Sequence, residues 1–335
     1  MRNMQKKLLI VTDFAYPIGG GTERHVFHLA KYFSEKYNVT MLAPSWGDAP
    51  SETSVEGIKI KKFFSRGKDR IFKNLFYSLK LNPDIVWSHY VLPSISVLPL
   101  KFFGKKIIAM LHDFENVRAP YTYFLNLCDR IIVHTNLLRE RAIEQGINPN
   151  KIEVIPGIID SVFIQKNLKN KYDVVGVFRI CHHKGIDIFL QVVKENPKLR
   201  FCLVGRFMPE EKSMWSKEIA KLKNVDYFGY VSDEELVNLL NQSKVFLICS
   251  RKEGFCLGAV EAMACGLPVV SSDTNGLKEA VGNYGIITKN YSEAINRLLT
   301  NRRKYEKYCN LSLQRAELLR FSVLMKKYDA VLESL

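Results

Sequence analysis

Two carboxylates, Glu253 and Glu261, flank a short segment whose composition could serve the binding of a phosphorylated sugar. Glu253 precedes a glycine, and Glu261 lies eight residues later in an apolar stretch that ends at Gly266 and Pro268. This arrangement predicts a turn followed by an amphipathic helix. At 1.5 Å per helical residue, both acids could face one cleft about 12 Å apart.

The predicted helix begins between the two acids, near Phe255, Cys256 and Leu257. The first N–H groups of a helix lack partners within it, and they attract anions. A diphosphate at the helix start, sugar hydroxyls at Glu253 and ribose hydroxyls at Glu261 would suit a nucleotide sugar. The alternative is a loop acid followed by a solvated helix acid.

Two cations could stabilise negative charge on the same phosphates. Arg179 and Lys184 follow a predicted strand and precede a helix that opens at Gly185. The forked guanidinium of Arg and the ammonium of Lys both suit phosphate oxygens. On spacing alone, two solvated loop cations are an equally good interpretation.

Further candidates lie where other predicted strands end. Gly20 and Gly21 belong to a glycine triplet after the first strand, where the backbone could approach a ligand closely or merely turn. The triplet fits neither the dinucleotide fingerprint nor the phosphate loop of nucleotide triphosphatases. His112 ends another predicted strand. It could contact a ligand, or it could be a structural histidine.

Taken together, these motifs resemble the retaining nucleotide-sugar glycosyltransferases of the GT-B fold, in particular glycosyltransferase family 4. The segment from Glu253 to Glu261 resembles the Glu-x7-Glu signature of that family, and the resemblance extends over nearly the whole chain in the expected order. The other matching segments are the glycine loop 17–26, Arg179 with Lys184-Gly185, the interdomain linker 154–163 and the closing helix that starts at Phe321-Ser322. One departure is Pro156 before Gly157, where relatives commonly carry Asn.

The resemblance implies a role for each candidate. Catalytic roles fall to Glu253, Arg179, Lys184 and His112, the last by contact with the donor sugar or the acceptor. Donor binding falls to Gly20, Gly21, Phe255, Cys256, Leu257 and Glu261, and to the backbone at Val231. The expected partners are a UDP- or GDP-sugar donor and a glycan, lipid or lipid-linked acceptor. No cofactor and no metal are expected, since the sequence lacks an Asp-x-Asp motif.

Buried apolar runs predict the elements that would position these residues. Runs without alternation are typical of parallel strands covered by helices on both faces. Two series of six such runs, separated near 156–171, predict an α/β protein with two doubly wound, Rossmann-like domains facing each other across a cleft. The predicted domains are 1–165 on the acceptor side, 166–320 on the donor side, and a helix 321–335 that crosses back to the first domain.

Composition narrows the class of protein. The chain has 335 residues, 47% of them hydrophobic and 25% charged, with a net charge of +15 that implies an anionic partner. Seven cysteines without a Cys-x-x-Cys pair suggest reduced thiols and a cytoplasmic protein rather than a zinc site. Neither a signal peptide nor a membrane-spanning segment is predicted.

One segment, 59–80, combines eight Lys and Arg with a single acid, Asp69, and several aromatic residues. One interpretation packs the helical face formed by positions 71, 72, 75, 76 and 79 into the core. The other is a peripheral contact with an anionic membrane surface, at the inner face of the cell membrane.

Two other functions compete with glycosyl transfer. A GT-B epimerase or phosphorylase would act on sugar phosphates, but no pyridoxal-lysine motif supports a phosphorylase. A basic nucleic-acid-binding protein would interleave aromatic platforms with its cations in a recognisable module, and none is found, so no nucleic acid is expected as a partner.

Overall fold

The structure of the chain is a computed structural model that describes residues 5–13, 20–46, 51–65, 67, 69–112 and 117–335. It divides into two compact α/β units. The first unit contains the residues up to Ile155 together with Lys326–Leu335, and the second unit contains Pro156–Met325.

The first unit is built on an eight-stranded sheet of order β3-β4-β2-β1-β5-β6-β7-β8. All neighbouring strands are parallel except β3 and β4. The strands are β1 Lys7–Val11, β2 Asn38–Trp46, β3 Ser51–Val55, β4 Ile58–Ser65, β5 Ile85–His89, β6 Lys106–Leu111, β7 Arg130–Val133 and β8 Ile152–Val154. Six of the eight strands, all except β3 and β4, match the six predicted runs, because a strand covered on both faces keeps no polar alternation.

The hairpin of β3 and β4 was not predicted. Its two-residue turn has positive φ at both positions, 47° at Glu56 and 84° at Gly57, as a tight hairpin turn requires. Strand β4 alternates buried Ile58 and Ile60 with lysines, which is typical of a half-covered strand near a sheet edge. The first part of the basic segment 59–80 is therefore strand.

Helices cover both faces of this sheet. They are α1 Gly21–Phe33, α2 Arg70–Leu81, α3 Val91–Val97, α4 Tyr121–Leu125, α5 Asn136–Glu144 and the second half of α13 Phe321–Glu333, with 3₁₀ helices Leu98–Phe103 and Pro149–Lys151. Helix α1 buries a stripe of Val26, Leu29, Ala30 and Phe33, which follow helical spacing. Helix α5 is capped by Thr135, whose Oγ1 accepts from the Leu138 N–H over 3.1 Å.

Helix α2 does not bury the face that the core interpretation of segment 59–80 requires. Phe72, Phe76 and Leu79 are exposed by 78%, 61% and 41%. The side chains that α2 buries are Asn74 and Ser78, which are small enough to let the helix approach its neighbours closely. The core-packing interpretation is therefore wrong for these three positions, and two of the counted cations, Arg66 and Lys68, lie outside the described residues.

The second unit has a six-stranded parallel sheet of order β11-β10-β9-β12-β13-β14. Its strands are β9 Tyr172–Val177, β10 Phe201–Val204, β11 Val225–Tyr227, β12 Ser243–Ile248, β13 Val269–Ser271 and β14 Ile286–Ile287. Its helices are α6 Ile186–Glu195, α7 Lys212–Ala220, α8 Asp233–Asn241, α9 Leu257–Ala264, α10 Asn275–Val281, α11 Tyr291–Thr300, α12 Arg302–Glu317 and the first half of α13, with 3₁₀ helices His182–Lys184, Pro209–Glu211 and Gly282–Tyr284. All six predicted runs of this series are strands. Each helical connection leads to another parallel strand, which is the adjacent one except after β11, where the chain crosses β10 and β9 to reach β12.

The division between the units falls after Ile155, ten residues before the predicted boundary at 165. The linker residues pack on the second unit: Phe163 O accepts from Arg320 over 2.7 Å, and Ile164 O accepts from Asn241 over 3.0 Å. A Cβ on Gly157 would lie 2.6 Å from the Leu257 side chain, so the linker runs close against α9. Residues 156–165 thus belong with the unit that carries the candidate glutamates.

Candidate functional site

The loop after β9 presents both predicted cations at the carboxyl edge of the second sheet. Arg179 is exposed and forms no ion pair with the described part of the chain. Lys184 ends the 3₁₀ turn His182–Lys184, and Gly185 follows with φ of 75°. A Cβ on Gly185 would lie 2.1 Å from Cys249 O, so only glycine lets this turn approach the end of β12.

Lys184 and Glu253 form a short ion pair, with Nζ to Oε2 at 2.8 Å. Their side chains are exposed by only 16% and 9%. Ser250 Oγ donates to the other carboxylate oxygen, Oε1, over 2.7 Å. Because β9 and β12 are neighbours in the sheet, residues seventy positions apart in sequence meet at one edge, and the structure brings these two predicted residues together.

A second ion pair braces the turn that carries Lys184. The Arg251 guanidinium donates to both oxygens of Asp187, over 2.7 and 2.6 Å, and also to His182 O over 2.7 Å. The hydrogen bonds from Arg251 lower the pKa of Asp187, so its carboxylate stays ionised. These two bracing residues were not among the predicted site residues, although Asp187 lies only three positions from Lys184.

The start of α9 lies beside this ion pair. Cys256 caps the helix in the left-handed conformation, with φ of 73°, which is uncommon for a residue other than glycine. A Cβ on Gly276 would lie 2.5 Å from Glu253 O, so α10 packs closely against the loop that carries Glu253. The predicted helix start is confirmed, and the N–H groups of Leu257 and Gly258 have no acceptor within the helix.

Two expectations about α9 were wrong. The helix is buried on all sides from Ala259 to Ala264 and is therefore not amphipathic, because it packs inside the second unit. Residues from Glu253 to Cys256 are not helical, so the estimate of about 12 Å between the two acids does not apply. Glu261 itself is only 4% exposed.

Val231 and Phe255 are buried, with 9% and 6% exposure. Val231 immediately precedes Ser232, whose Oγ accepts from the Glu235 N–H over 3.2 Å and caps α8. The neighbouring Tyr230 ring carries the Arg206 guanidinium at 4.0 Å.

In the first unit, Gly20 and Gly21 open α1 as predicted, whereas Gly19 lies outside the described residues. The Gly20 N–H already donates to Glu23 Oε2 over 2.6 Å. A ligand anion at this helix start would meet the carboxylate of Glu23, which is buried.

His112 lies in a chain of hydrogen-bonded histidines. Its Nδ1 is 3.0 Å from His134 Nε2, and its Nε2 is 3.0 Å from His89 Nδ1. His134 Nδ1 is 3.0 Å from Ile155 O, which can only accept, so this nitrogen carries a proton. His112 then accepts at Nε2 and donates from Nδ1, and His89 donates from Nδ1 while its buried Nε2 has no partner among the described residues.

Burial keeps these histidines neutral. It lowers the pKa of His134 to about 4 and that of His89 to about 3. Burial and the neighbouring rings lower the pKa of His112 well below its usual range. The sequence offered a signal for the cluster, since His89, His112 and His134 stand at the ends of the neighbouring strands β5, β6 and β7.

Two properties of the described residues bear on metals and membranes. Within those ranges, no group of three or more His, Cys, Asp or Glu side chains is arranged to hold a metal ion. No described helix has the length and hydropathy needed to cross a bilayer. All seven cysteines are free, and five of them are buried.

Comparison with family models gives two matches that together cover most of the chain. The model for Glycosyltransferase Family 4 matches residues 19–163, and the model for Glycosyl transferases group 1 matches residues 159–312. The boundary between the two matches coincides with the linker between the units.

Among curated proteins, a phosphatidylinositol N-acetylglucosaminyltransferase subunit of Homo sapiens is 25% identical over 84% of this chain. The match spans 64% of the length of that human protein. The corresponding Arabidopsis thaliana protein is 21% identical over 82% of this chain and 69% of its own length.

Among solved structures, the Anabaena protein HepE with UDP and glucose matches with a TM-score of 0.80 and 17% identity, covering 99% of this chain and 100% of that one. Sucrose-phosphate synthase from Thermosynechococcus elongatus matches with a TM-score of 0.83 and 17% identity, covering 98% and 99%. These likenesses confirm the predicted fold class.

Proposed function

We propose a donor for this chain, which belongs to the group 1 and family 4 glycosyltransferases of the GT-B fold. The donor is a nucleoside-diphosphate sugar with UDP or GDP as the nucleotide. It moves a hexosyl group, with retention of configuration, to a glycan, lipid or lipid-linked acceptor. The observation that carries the proposal is the Lys184–Glu253 pair beside the start of α9, with the unpaired Arg179 at the same edge.

The chemistry requires charge stabilisation at the leaving group. When the bond between sugar C1 and the diphosphate breaks, negative charge grows on the β-phosphate. Lys184, held by Glu253, and the N–H groups at the start of α9 are donors fixed in advance, so they need little reorganisation during the reaction. Arg179 can stabilise the same charge, because no described acid neutralises its guanidinium.

The ion pair connects donor binding with Glu253. The carboxylate of Glu253 neutralises Lys184 over 2.8 Å. A diphosphate competes for the ammonium, and Glu253, still held by Ser250, is then available to accept hydrogen bonds from sugar hydroxyls. Donor binding and the freeing of Glu253 are thereby coupled.

Retention fits a reaction on one face of the sugar. The acceptor oxygen forms its bond to C1 on the face from which the diphosphate leaves, as the old C1–O bond breaks. The acceptor proton passes to an oxygen of the leaving β-phosphate, which lies on the same face. The products are the new glycoside and free UDP or GDP.

The names of relatives support parts of this proposal. HepE has been crystallised with UDP-glucose, which supports a nucleotide-sugar donor. The human relative is named for transfer of N-acetylglucosamine to phosphatidylinositol, which supports a lipid acceptor. The proposal names neither the sugar nor the acceptor beyond these classes.

A donor panel tests the function directly. The purified chain is incubated with UDP- and GDP-sugars, with and without glycan and lipid-linked acceptors, and released UDP and GDP are measured. We expect acceptor-dependent release from one nucleotide class and a product with the anomeric configuration of the donor by NMR. A changed sugar without a new glycoside would instead indicate an epimerase.

Metal independence is tested in the same assay. Because Arg179, Lys184 and the α9 start can stabilise the diphosphate, we predict that EDTA leaves the rate unchanged. Loss of activity with EDTA, restored by Mg²⁺ or Mn²⁺, would contradict the prediction. An enzyme of known metal dependence provides the control for complete chelation.

A further inference from the structure

Helix α2 carries an apolar stripe on its exposed face. Phe72, Phe76 and Leu79 are exposed by 78%, 61% and 41%. Their spacing of four and three residues places them on one side of the helix. Single exposed hydrophobic residues are ordinary, but a row of three with two phenylalanines calls for a partner.

The stripe continues onto the neighbouring 3₁₀ helix Leu98–Phe103. This element contacts α2 and exposes Phe102 by 93% and Phe103 by 64%. Five large apolar side chains of the first unit therefore lie on two adjacent elements that cover the same sheet.

A basic cavity lies next to these elements. It has a volume of about 770 Å³ and is lined by Lys6, Lys7, Lys59 and Lys106 at the amino ends of the strands. Within the described ranges, no acid forms an ion pair with the first three of these lysines. Asp84 also lines the cavity, and its carboxylate accepts from the Lys7 backbone N–H over 2.8 Å, so the lining has four lysines against one aspartate.

The cavity and the apolar stripe are close in space. Asn82 and Lys106 line the cavity, and they lie three residues after Leu79 and Phe103 respectively. Three residues span at most about 11 Å of extended chain. The exposed Lys80 and the half-buried Lys105 lie between the two features.

We infer that this surface binds an anionic lipid bilayer. We call it the docking edge: Phe72, Phe76, Leu79, Phe102 and Phe103 enter the lipid interface, and Lys6, Lys7, Lys59, Lys80 and Lys105 contact anionic headgroups. Aromatic side chains flanked by lysines are typical of elements that lie on a membrane surface. The combination of apolar and cationic groups favours a bilayer over a second copy of this basic chain, whose net charge is +15.

The inference deepens the proposed function, on which it rests for the choice of a lipid or lipid-linked acceptor. The docking edge includes the amino ends of the strands, whereas His112 lies at a carboxyl end of the same sheet.

Co-sedimentation with vesicles tests the inference without any donor or acceptor. We compare phosphatidylcholine vesicles with vesicles that contain phosphatidylglycerol, each at low and high salt. We expect binding to the anionic vesicles that weakens as salt rises, and little binding to the neutral ones.

Two variants separate the charged and apolar contributions. Lys6, Lys59, Lys80 and Lys105→Gln should weaken anionic binding by roughly five-fold for each lysine. The matched charge control changes exposed cations of the second unit, Lys212, Lys217, Lys223 and Arg303→Gln, and should bind like the wild type. Phe72, Phe76, Phe102 and Phe103→Ser should weaken binding even at low salt, whereas Met214 and Leu318→Ser should not.

Three outcomes would overturn the inference. They are no binding to anionic vesicles, equal loss in the test and control variants, and a dimer in ultracentrifugation that the serine variant dissociates without any vesicle binding. The last would show that a second copy covers the docking edge. A Glu253→Ala variant should bind vesicles normally, so failed docking and a failed glycosyltransferase assay remain distinguishable.

Discussion

The carboxyl edges of the two sheets differ in charge. The second sheet ends in the exposed Arg179 and in the ion pair between Lys184 and Glu253, at a turn that Gly185 completes. The first sheet ends in three linked histidines whose lowered pKa values keep them uncharged near neutral pH. Two units with the same strand–helix logic thus offer different chemistry at the same place.

The difference shows how one architecture can serve different parts of a reaction. Full charges match a diphosphate, which is ionised before and after transfer. Neutral imidazoles, each with one donor and one acceptor nitrogen, match hydroxyl groups. The protonation pattern of the histidines depends on one carbonyl, Ile155 O, because it fixes the proton on His134 Nδ1.

Removing charge from the carboxyl edge of the second sheet should have the largest effect on turnover. We predict that Glu253→Ala, Arg179→Ala and Lys184→Ala each lower kcat by about 10²–10³, because each removes a fixed stabiliser of the leaving group. Steady-state kinetics with the identified donor measure this, and circular dichroism checks the fold. Lys212→Ala, an exposed cation of the same unit, is the control. Near-normal turnover in Glu253→Ala would refute the assignment of the site.

Gly185→Ala tests whether the second edge depends on close packing. The new Cβ would lie 2.1 Å from Cys249 O at a φ of 75°, so the Lys184 turn must shift. We expect at least a tenfold loss of kcat/KM. Gly282→Ala is the matched control, with a φ of 51° but no atom nearer than 3.8 Å. An equal loss in both variants would assign the effect to backbone strain alone.

Low pH should reduce the stability of the first unit, whose sheet ends in the buried histidines. Folded His134 and His89 have pKa values of about 4 and about 3, below the ordinary 6.5, so below pH 6.5 only the unfolded chain gains these protons. Stability then falls as pH drops towards 4, by up to about 1.4 kcal/mol per pH unit for each histidine. Denaturant melts at pH 7, 6 and 5 measure the slope. His89→Gln should reduce it relative to the wild type.

Glu261→Gln should have the smallest effect. It should separate nucleotide binding from catalysis at the carboxyl edge of the second sheet. If Glu261 holds ribose, the change weakens nucleotide binding by about tenfold or less and leaves kcat nearly unchanged. Calorimetric titration with UDP and GDP, beside kinetics, separates the two. A fall in kcat with unchanged affinity would move Glu261 from binding to catalysis. The amide keeps the size of this buried side chain.

The sequence predicted the parallel strands well because strands buried on both faces are continuous apolar runs. Strand β4 was not predicted, because its many cations obscure the alternation of Ile58 and Ile60 with lysines. The exposed phenylalanines of α2 were beyond prediction, since a helical stripe does not reveal which side faces the core.

The candidate site was predicted residue by residue but not as a geometry. The pairing of Lys184 with Glu253 depends on β12 lying beside β9, and strand order is a property of the whole sheet. The bracing contact of Arg251 with Asp187 has the same origin, because the two residues follow different strands. The roles of the predicted site residues stay predictions until the variants are measured.

The first unit is discontinuous in sequence, since Lys326–Leu335 complete it only after the whole second unit. Tyr328 packs against Trp87 with ring centroids 5.6 Å apart, and Asp329 accepts from the Tyr32 hydroxyl over 2.6 Å. During synthesis, Trp87 therefore leaves the ribosome long before its cover exists. The first unit is synthesised first but finishes folding last. The nascent chain therefore exposes this apolar surface while the second unit is synthesised.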